Sequence, residues 1–213
     1  MVKARVDLHV HSNYSDGRDS VEKLIEAAKN RGLDIVAIVD HGPNHQFGIN
    51  PEEIEKRNDE VIEFAEFYGV EVMSGIELDL DMLKPDDLGF WDDNFDLVLG
   101  SIHKRYTYED YFQYVKRSIE GIDILAHHGW KIDGYNDDIE VELVQLLKKH
   151  EVAVEINSRR GLPWEYFLRM CANANLKYSI GSDAHRAINV GNVEWAENIA
   201  CQFFSEGDIY LGK

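Results

Sequence analysis

The stretch Asp7-Leu8-His9-Val10-His11 sets a carboxylate and two imidazoles at alternate positions near the start of the chain. On an extended segment side chains alternate, so Asp7, His9 and His11 share one face while Leu8 and Val10 take the other. Two imidazoles on one face form a ready pair of metal ligands. The same residue types recur down the chain, each just after an apolar run. They are Asp16 in Ser15-Asp16-Gly17, Asp40-His41, Glu77, His103, His127-His128, Glu155 with Asn157, and Asp183-Ala184-His185. Of the 9 histidines, only His45 and His150 lie elsewhere. Imidazole and carboxylate without thiolate suit Zn²⁺, Mn²⁺ or Fe²⁺ and mark a catalytic rather than a closed structural site. The set exceeds what one tetrahedral ion can use, so two or three carboxylate-bridged ions are expected. Such a cluster lowers the pKa of a bound water and clamps the oxygens of an in-line displacement at phosphorus.

The elements that must position these residues are legible as alternating patterns. Val- and Ile-rich runs at 4–10, 34–39, 70–78, 95–102, 122–127, 152–157 and 177–181 read as strands covered on both faces. Helix-period segments lie near 20–30, 51–68, 108–120, 138–150, 163–174 and 191–205. Ser20 is a candidate N-cap, and Gly32 and Gly69 stand where helices stop. Strand–helix units in series predict a parallel α/β fold. Because polar residues gather at the carboxyl end of nearly every strand, closure into a TIM-like barrel fits better than an open sheet. No linker or repeat divides residues 1–213, so one domain is expected.

The formal charge of −18 weighs against a broad nucleic-acid-binding surface. A small anionic substrate is compatible with it only where metals or local Arg and Lys invert the field. Cys171 and Cys201 lack paired spacing and read as reduced thiols. No apolar run reaches the roughly 20 residues of a membrane helix, and no signal-like start is evident. A cytoplasmic enzyme without membrane partners is the expectation, with oligomeric state left open.

The ordered set Asp7-Leu-His-Val-His11, Ser15-Asp-Gly17, Asp40-His41, Glu77, His103, His127 and Asp183-Ala-His185 resembles the polymerase and histidinol phosphatase (PHP) family along essentially the whole chain. The resemblance implies a distorted (β/α)₇ barrel, two or three divalent metals (Zn, Mn or Fe) and phosphoester hydrolysis. It implies one metal site from His9, His11, Glu77 and Asp183, a second from Asp16, His41 and His185, and a third from Glu77, His103 and His127, with Glu77 bridging. Some members carry His where this chain has Asp16, a harder ligand. His128 competes with His127, but His127 directly follows the Ile-Leu-Ala run and matches the family position.

Around these ligands, Asp7 is expected to receive the other ring N–H of His9, and Asp40 to serve a neighbouring ligand in the same way. Lys104, Arg105, Arg159, Arg160 and Arg186 follow strand ends; of these Arg159, Arg160, Arg186 and Lys104 are candidates for binding substrate phosphate. Trp130, Tyr106 and Trp164 are candidates to stack on an organic leaving group. The expected reaction is attack on phosphorus by a metal-bound hydroxide, with His185 or His128 as general acid, on a small phosphomonoester such as histidinol phosphate. A nucleotide or single-stranded nucleic-acid phosphodiesterase is the alternative within the enzyme class. A metal-free scaffold of the ribonuclease P type is the alternative outside it, disfavoured by the full ligand set and the acidic charge.

Overall fold

A computed structural model of this 213-residue chain describes residues 4–83, 91 and 94–212. In chain order the main elements are β1 (Val6–Val10), α1 (Val21–Arg31), β2 (Ile35–His41), α2 (Ile54–Tyr68), β3 (Glu71–Asp79) and β4 (Leu97–Ser101). They continue with β5 (Tyr106–Thr107), α3 (Tyr108–Ser118), β6 (Ile124–Leu125), β7 (Ile132–Asp133), α4 (Asp137–Lys149), β8 (Ala153–Asn157), α5 (Glu165–Asn173), β9 (Tyr178–Gly181) and α6 (Glu194–Phe203).

The chain places seven parallel strands side by side in the order β1-β2-β3-β4-β6-β8-β9. Their residues are buried on both faces, as the continuous apolar runs predict. The sheet curls until its ends meet at a bridge between Val10 and Ala184, where the His11 N–H donates to the Ala184 carbonyl at 2.8 Å. This gives the nearly closed seven-stranded barrel foreseen from the pattern, with helices outside. Register then does functional work: β2 and β3 pair from Ile35–Glu71 through His41–Glu77, which lays two candidate ligands side by side.

The helices follow the same logic. In α1 the buried residues are Val21, Leu24, Ile25 and Ala28, one stripe at i, i+3, i+4 and i+7. Ser20 caps it by accepting the Lys23 N–H, and Gly32, at φ 66°, ends it in the left-handed conformation that lacks a penalty only for glycine. Truncating Leu24 would cost roughly 2–5 kcal/mol by leaving a cavity.

Two features differ from the expectation. The strand expected at 122–127 shortens to Ile124–Leu125, because the backbone turns left-handed at His127 (φ 32°). A second, two-stranded parallel sheet joins β5 to β7 beside the barrel, too short to carry a periodic signal.

Candidate active site

Nine side chains named from the sequence converge at the carboxyl ends of the barrel strands: His9, His11, Asp16, His41, Glu77, His103, His127, Asp183 and His185. Their ligand atoms fall into close groups, each within 4.8 Å: His9, His11 and Asp183; His11, Asp16, His41 and His185; Glu77, His103 and His127. Glu77 is the hub. Its Oε1 lies 2.9 Å from His127 Nε2 and 3.5 Å from His103 Nε2, and its Oε2 lies 3.0 Å from His41 Nδ1 and 3.4 Å from His9 Nε2.

The electrostatics of this cluster are unbalanced in an informative way. Burial pushes the Glu77 carboxyl upward, but His41, His103 and His9 outweigh it and hold the group well below its ordinary value. Burial pushes His9 downward, yet Glu155 and Glu77 raise it well above the usual imidazole range. His11 goes the other way, driven well down by burial and by the neighbouring His41 and His9. Asp183 is lowered, because His9 and His127 overcome the effect of its burial. Four buried atoms here make no hydrogen bond: His11 Nδ1, Asp16 Oδ1, His41 Nδ1 and Glu77 Oε2. The His9 and His11 Nε2 atoms also face each other at 3.0 Å. An unmade bond on a buried polar atom costs about 1–3 kcal/mol, so such a concentration calls for a missing partner. Lone pairs converging from imidazole and carboxylate fit divalent cations.

The surrounding support differs from the expectation in one respect. Asp7 does not receive the His9 ring N–H. Its carboxylate is fully buried and accepts the backbone N–H groups of Ser182 and Gly191, each at 2.8 Å, so it ties β1 to the segment after β9 and stands away from the chemistry. Glu155 takes the role instead. His9 Nδ1 lies 2.7 Å from Glu155 Oε1, while Glu155 Oε2 accepts the His127 backbone N–H at 2.7 Å and the Asn157 amide at 3.1 Å. One carboxylate thus orients two candidate ligands, in the manner of outer-shell groups at metal sites. Gly181 makes room for it: a Cβ there would lie 2.2 Å from Glu155 Oε1. Asp79 supports His103 through Nδ1. His127 and Asp183, at φ 32° and 52°, hold left-handed backbone that is strained for residues with a side chain, as recurs at functional sites.

Asp40 also differs from its expected role. It accepts the Ser12 N–H and hydroxyl, the Ser15 hydroxyl and the Arg57 Nε–H, fastening the loop that carries Asp16 rather than a histidine ring. His128, the other general-acid candidate, does not line the cavity. It is fully buried behind the site, with Nδ1 2.9 Å from Tyr111 Oη and Nε2 near Tyr108 Oη and Glu140. The left-handed turn at His127 sends the two neighbours to opposite sides of the barrel wall.

Among the cations, Arg159 and Arg160 line the cavity of about 230 Å³ over the ligands. Arg159 Nη1 donates to Asp183 Oδ1 at 2.9 Å, and the Arg160 guanidinium lies 3.7 Å above the Trp130 ring. Arg186 instead lines an adjoining cleft. Lys104 turns outward to pair with Asp81 at 3.1 Å and does not line the cavity. Trp130 lines it, whereas Tyr106 donates its hydroxyl to Asp81 and Trp164 packs against His128. Residues not anticipated at the mouth are His45, Gln46, Phe47 and Lys131. His45 stacks on His41 at 3.9 Å and groups with His41 and His103. Its signal was its place four residues after His41 in the same loop. Glu155 stood visibly at a strand end, but nothing local tied it to His9.

The parallel barrel with a His/Asp/Glu cluster at its strand ends, together with the family and the phosphatase relatives it matches, is that of a metal-dependent phosphoesterase. The chain belongs to the PHP domain family, whose sequence profile matches residues 7–159. A probable phosphatase of Shewanella piezotolerans is 31% identical, over 95% of this chain and 87% of that protein. The DNA polymerase/3′-5′ exonuclease PolX of Bacillus subtilis is 29% identical over 84% of this chain, which spans only 34% of that longer protein. Among solved structures, histidinol phosphate phosphatase from Lactococcus lactis, complexed with zinc, L-histidinol and phosphate, superposes with a TM-score of 0.73 at 20% identity, covering 97% of this chain and 99% of that one.

Proposed function

We propose that this protein hydrolyses small phosphomonoesters with the aid of divalent metals held by the nine clustered side chains. The observation that carries the reading is the convergence of buried imidazole and carboxylate ligand atoms, four of them without a hydrogen bond, beneath Arg159 and Arg160. His9, His11 and Asp183 would hold one ion, His11 or His41 with Asp16 and His185 a second, and Glu77, His103 and His127 a third. When bound, such ions supply Lewis acidity and an activated water at neutral pH.

The chain's own groups supply the rest. Glu155 orients His9 and the His127 backbone, so both rings present fixed nitrogens. Arg159 and Arg160 sit where two guanidinium groups can hold phosphoryl oxygens. Trp130 and Phe47 offer apolar faces to the organic part of the ester. His185, 20% exposed at the mouth between Asp16 and Arg159, is assigned either a metal or the proton that the leaving oxygen takes up. Metal content of a His185→Gln variant separates these roles.

The test is metal-reconstituted protein on p-nitrophenyl phosphate, with histidinol phosphate, a cyclic nucleotide and a single-stranded oligonucleotide alongside. Hydrolysis of the monoesters, lost in His9→Ala and Glu77→Ala, is the expected result. Full activity in both variants would sink the proposal. Turnover of the oligonucleotide alone would favour the exonuclease reading suggested by the similarity to PolX. Among the described residues no helix is long and apolar enough to cross a membrane.

A further inference from the structure

Beside the ligand cavity lies a second cleft of about 720 Å³. Asp16, Arg159, Asp183 and His185 line both spaces, so the cleft opens directly onto the candidate metal cluster. Its far wall carries Arg18, Arg186, Asn189 and Asn192. Neither the Arg18 nor the Arg186 side chain has an ion-pair or hydrogen-bond partner among the described residues. In a chain with 40 acidic and 22 basic side chains, two guanidinium groups without carboxylate partners beside an acidic cluster are out of keeping with the bulk.

The wall is also built rather than loose. Asp19 accepts the Ala187 N–H at 2.9 Å and Asp7 accepts the Gly191 N–H at 2.8 Å. Arg31 donates to the Ile188 carbonyl at 2.6 Å and to the Asn192 side chain at 2.7 Å. These bonds hold the 3₁₀ turn Ala187–Asn189 against the barrel and so set where Arg186 begins. The carboxylates facing the cleft, Asp16 and Asp183, belong to the ligand cluster and are engaged by His185 and Arg159. The free charge of the cleft is therefore positive.

We infer that this cleft is a specificity subsite for a second anionic group, so that the substrate is a phosphomonoester carrying another phosphate or a carboxylate. The scissile phosphoryl then lies over the metals with Arg159 and Arg160, while Arg18 and Arg186 take the second anion, each through up to two parallel N–H···O bonds. The inference rests on the phosphomonoesterase reading and narrows it. It ranks histidinol phosphate, whose second charged group is an ammonium, below phosphomonoesters that carry a second anionic group.

The test uses matched pairs on the Mn²⁺-loaded protein. Glycerol 3-phosphate is compared with 3-phosphoglycerate for a carboxylate, and fructose 6-phosphate with fructose 1,6-bisphosphate for a phosphate. The expected result, in at least one pair, is kcat/KM at least about tenfold higher for the member with the second anionic group. Arg18→Gln and Arg186→Gln should each cut that ratio by about tenfold, chiefly through KM, with Arg18→Lys restoring part of it. An equal loss on both members would place Arg18 on the scissile phosphoryl and overturn the inference. So would a ratio unchanged in both variants, or no preference in the wild type. If p-nitrophenyl phosphate is cleaved but neither pair shows a preference, only the subsite falls. If no monoester is cleaved, both readings fall together.

Discussion

Two buried polar clusters lie within one strand of each other and are built on opposite principles. Around Asp40 every bond is made: the carboxylate takes Ser12, Ser15 and Arg57, and Arg57 in turn donates to Ser74, the Ile38 carbonyl and the Gly75 carbonyl. Around Glu77, on the adjacent strand β3, the groups crowd together with four atoms left without a hydrogen bond. Both hubs are buried carboxylates. The saturated one has no capacity to bind anything more and acts as a fastener for the loop bearing Asp16. The unsaturated one has its capacity aimed inward, and this separates a ligand site from a structural ion pair more clearly than burial or charge alone.

The comparison can be broken first at its hubs. Glu77→Gln removes the shared carboxylate, and kcat/KM should fall by about 10⁴, roughly 5 kcal/mol, with fewer metal ions per chain by mass spectrometry. A loss below tenfold would mean that Glu77 bridges nothing. Arg57→Met should act in the opposite way: unfolding in urea should show a loss of about 3–5 kcal/mol, since Asp40 is left buried without its cation. The folded fraction should keep its full metal complement. Loss of metal as well would show that the two clusters are one.

A smaller effect tests the support between them. Glu155→Gln keeps the shape but loses the carboxylate that orients His9 and the His127 backbone, and metal affinity should drop 10–100-fold by competition with a chelator. The gentlest probe is pH. His9 is raised above the usual imidazole range by Glu155 and Glu77, so in the metal-free protein it holds its proton to higher pH than a free imidazole, and a cation must displace that proton. Affinity should therefore rise with pH, by up to about tenfold per unit for each proton released, until the raised value is passed. Calorimetry in two buffers of different ionisation enthalpy measures the proton directly. Uptake rather than release would reverse the assignment of His9.

Much of the site was legible because it depends on local rules. Period-two alternation puts His9 and His11 on one face whatever the rest of the fold does. Parallel strands with covered faces announce themselves as apolar runs, and barrel chemistry belongs at their carboxyl ends. The residues that were not legible act across long separations. Asp7 lies two residues from His9 and was the natural partner, yet Glu155, 146 residues away, holds the ring. Asp7 is instead spent on amides after β9, 175 and 184 residues away. Lys104 looked like a phosphate ligand by position and is drawn outward by Asp81. His45 looked incidental and stacks on His41, because the loop after β2 folds back over the mouth.

From sequence alone came the ordered set of ligands, the strand–helix alternation and the acidic charge, since residue type, period and composition do not depend on what meets what. The tertiary structure decided which carboxylate orients which imidazole, which of His127 and His128 faces the cavity, and which arginines remain unpaired. Those choices depend on strand register and on one left-handed residue, and both are settled only when distant segments pack.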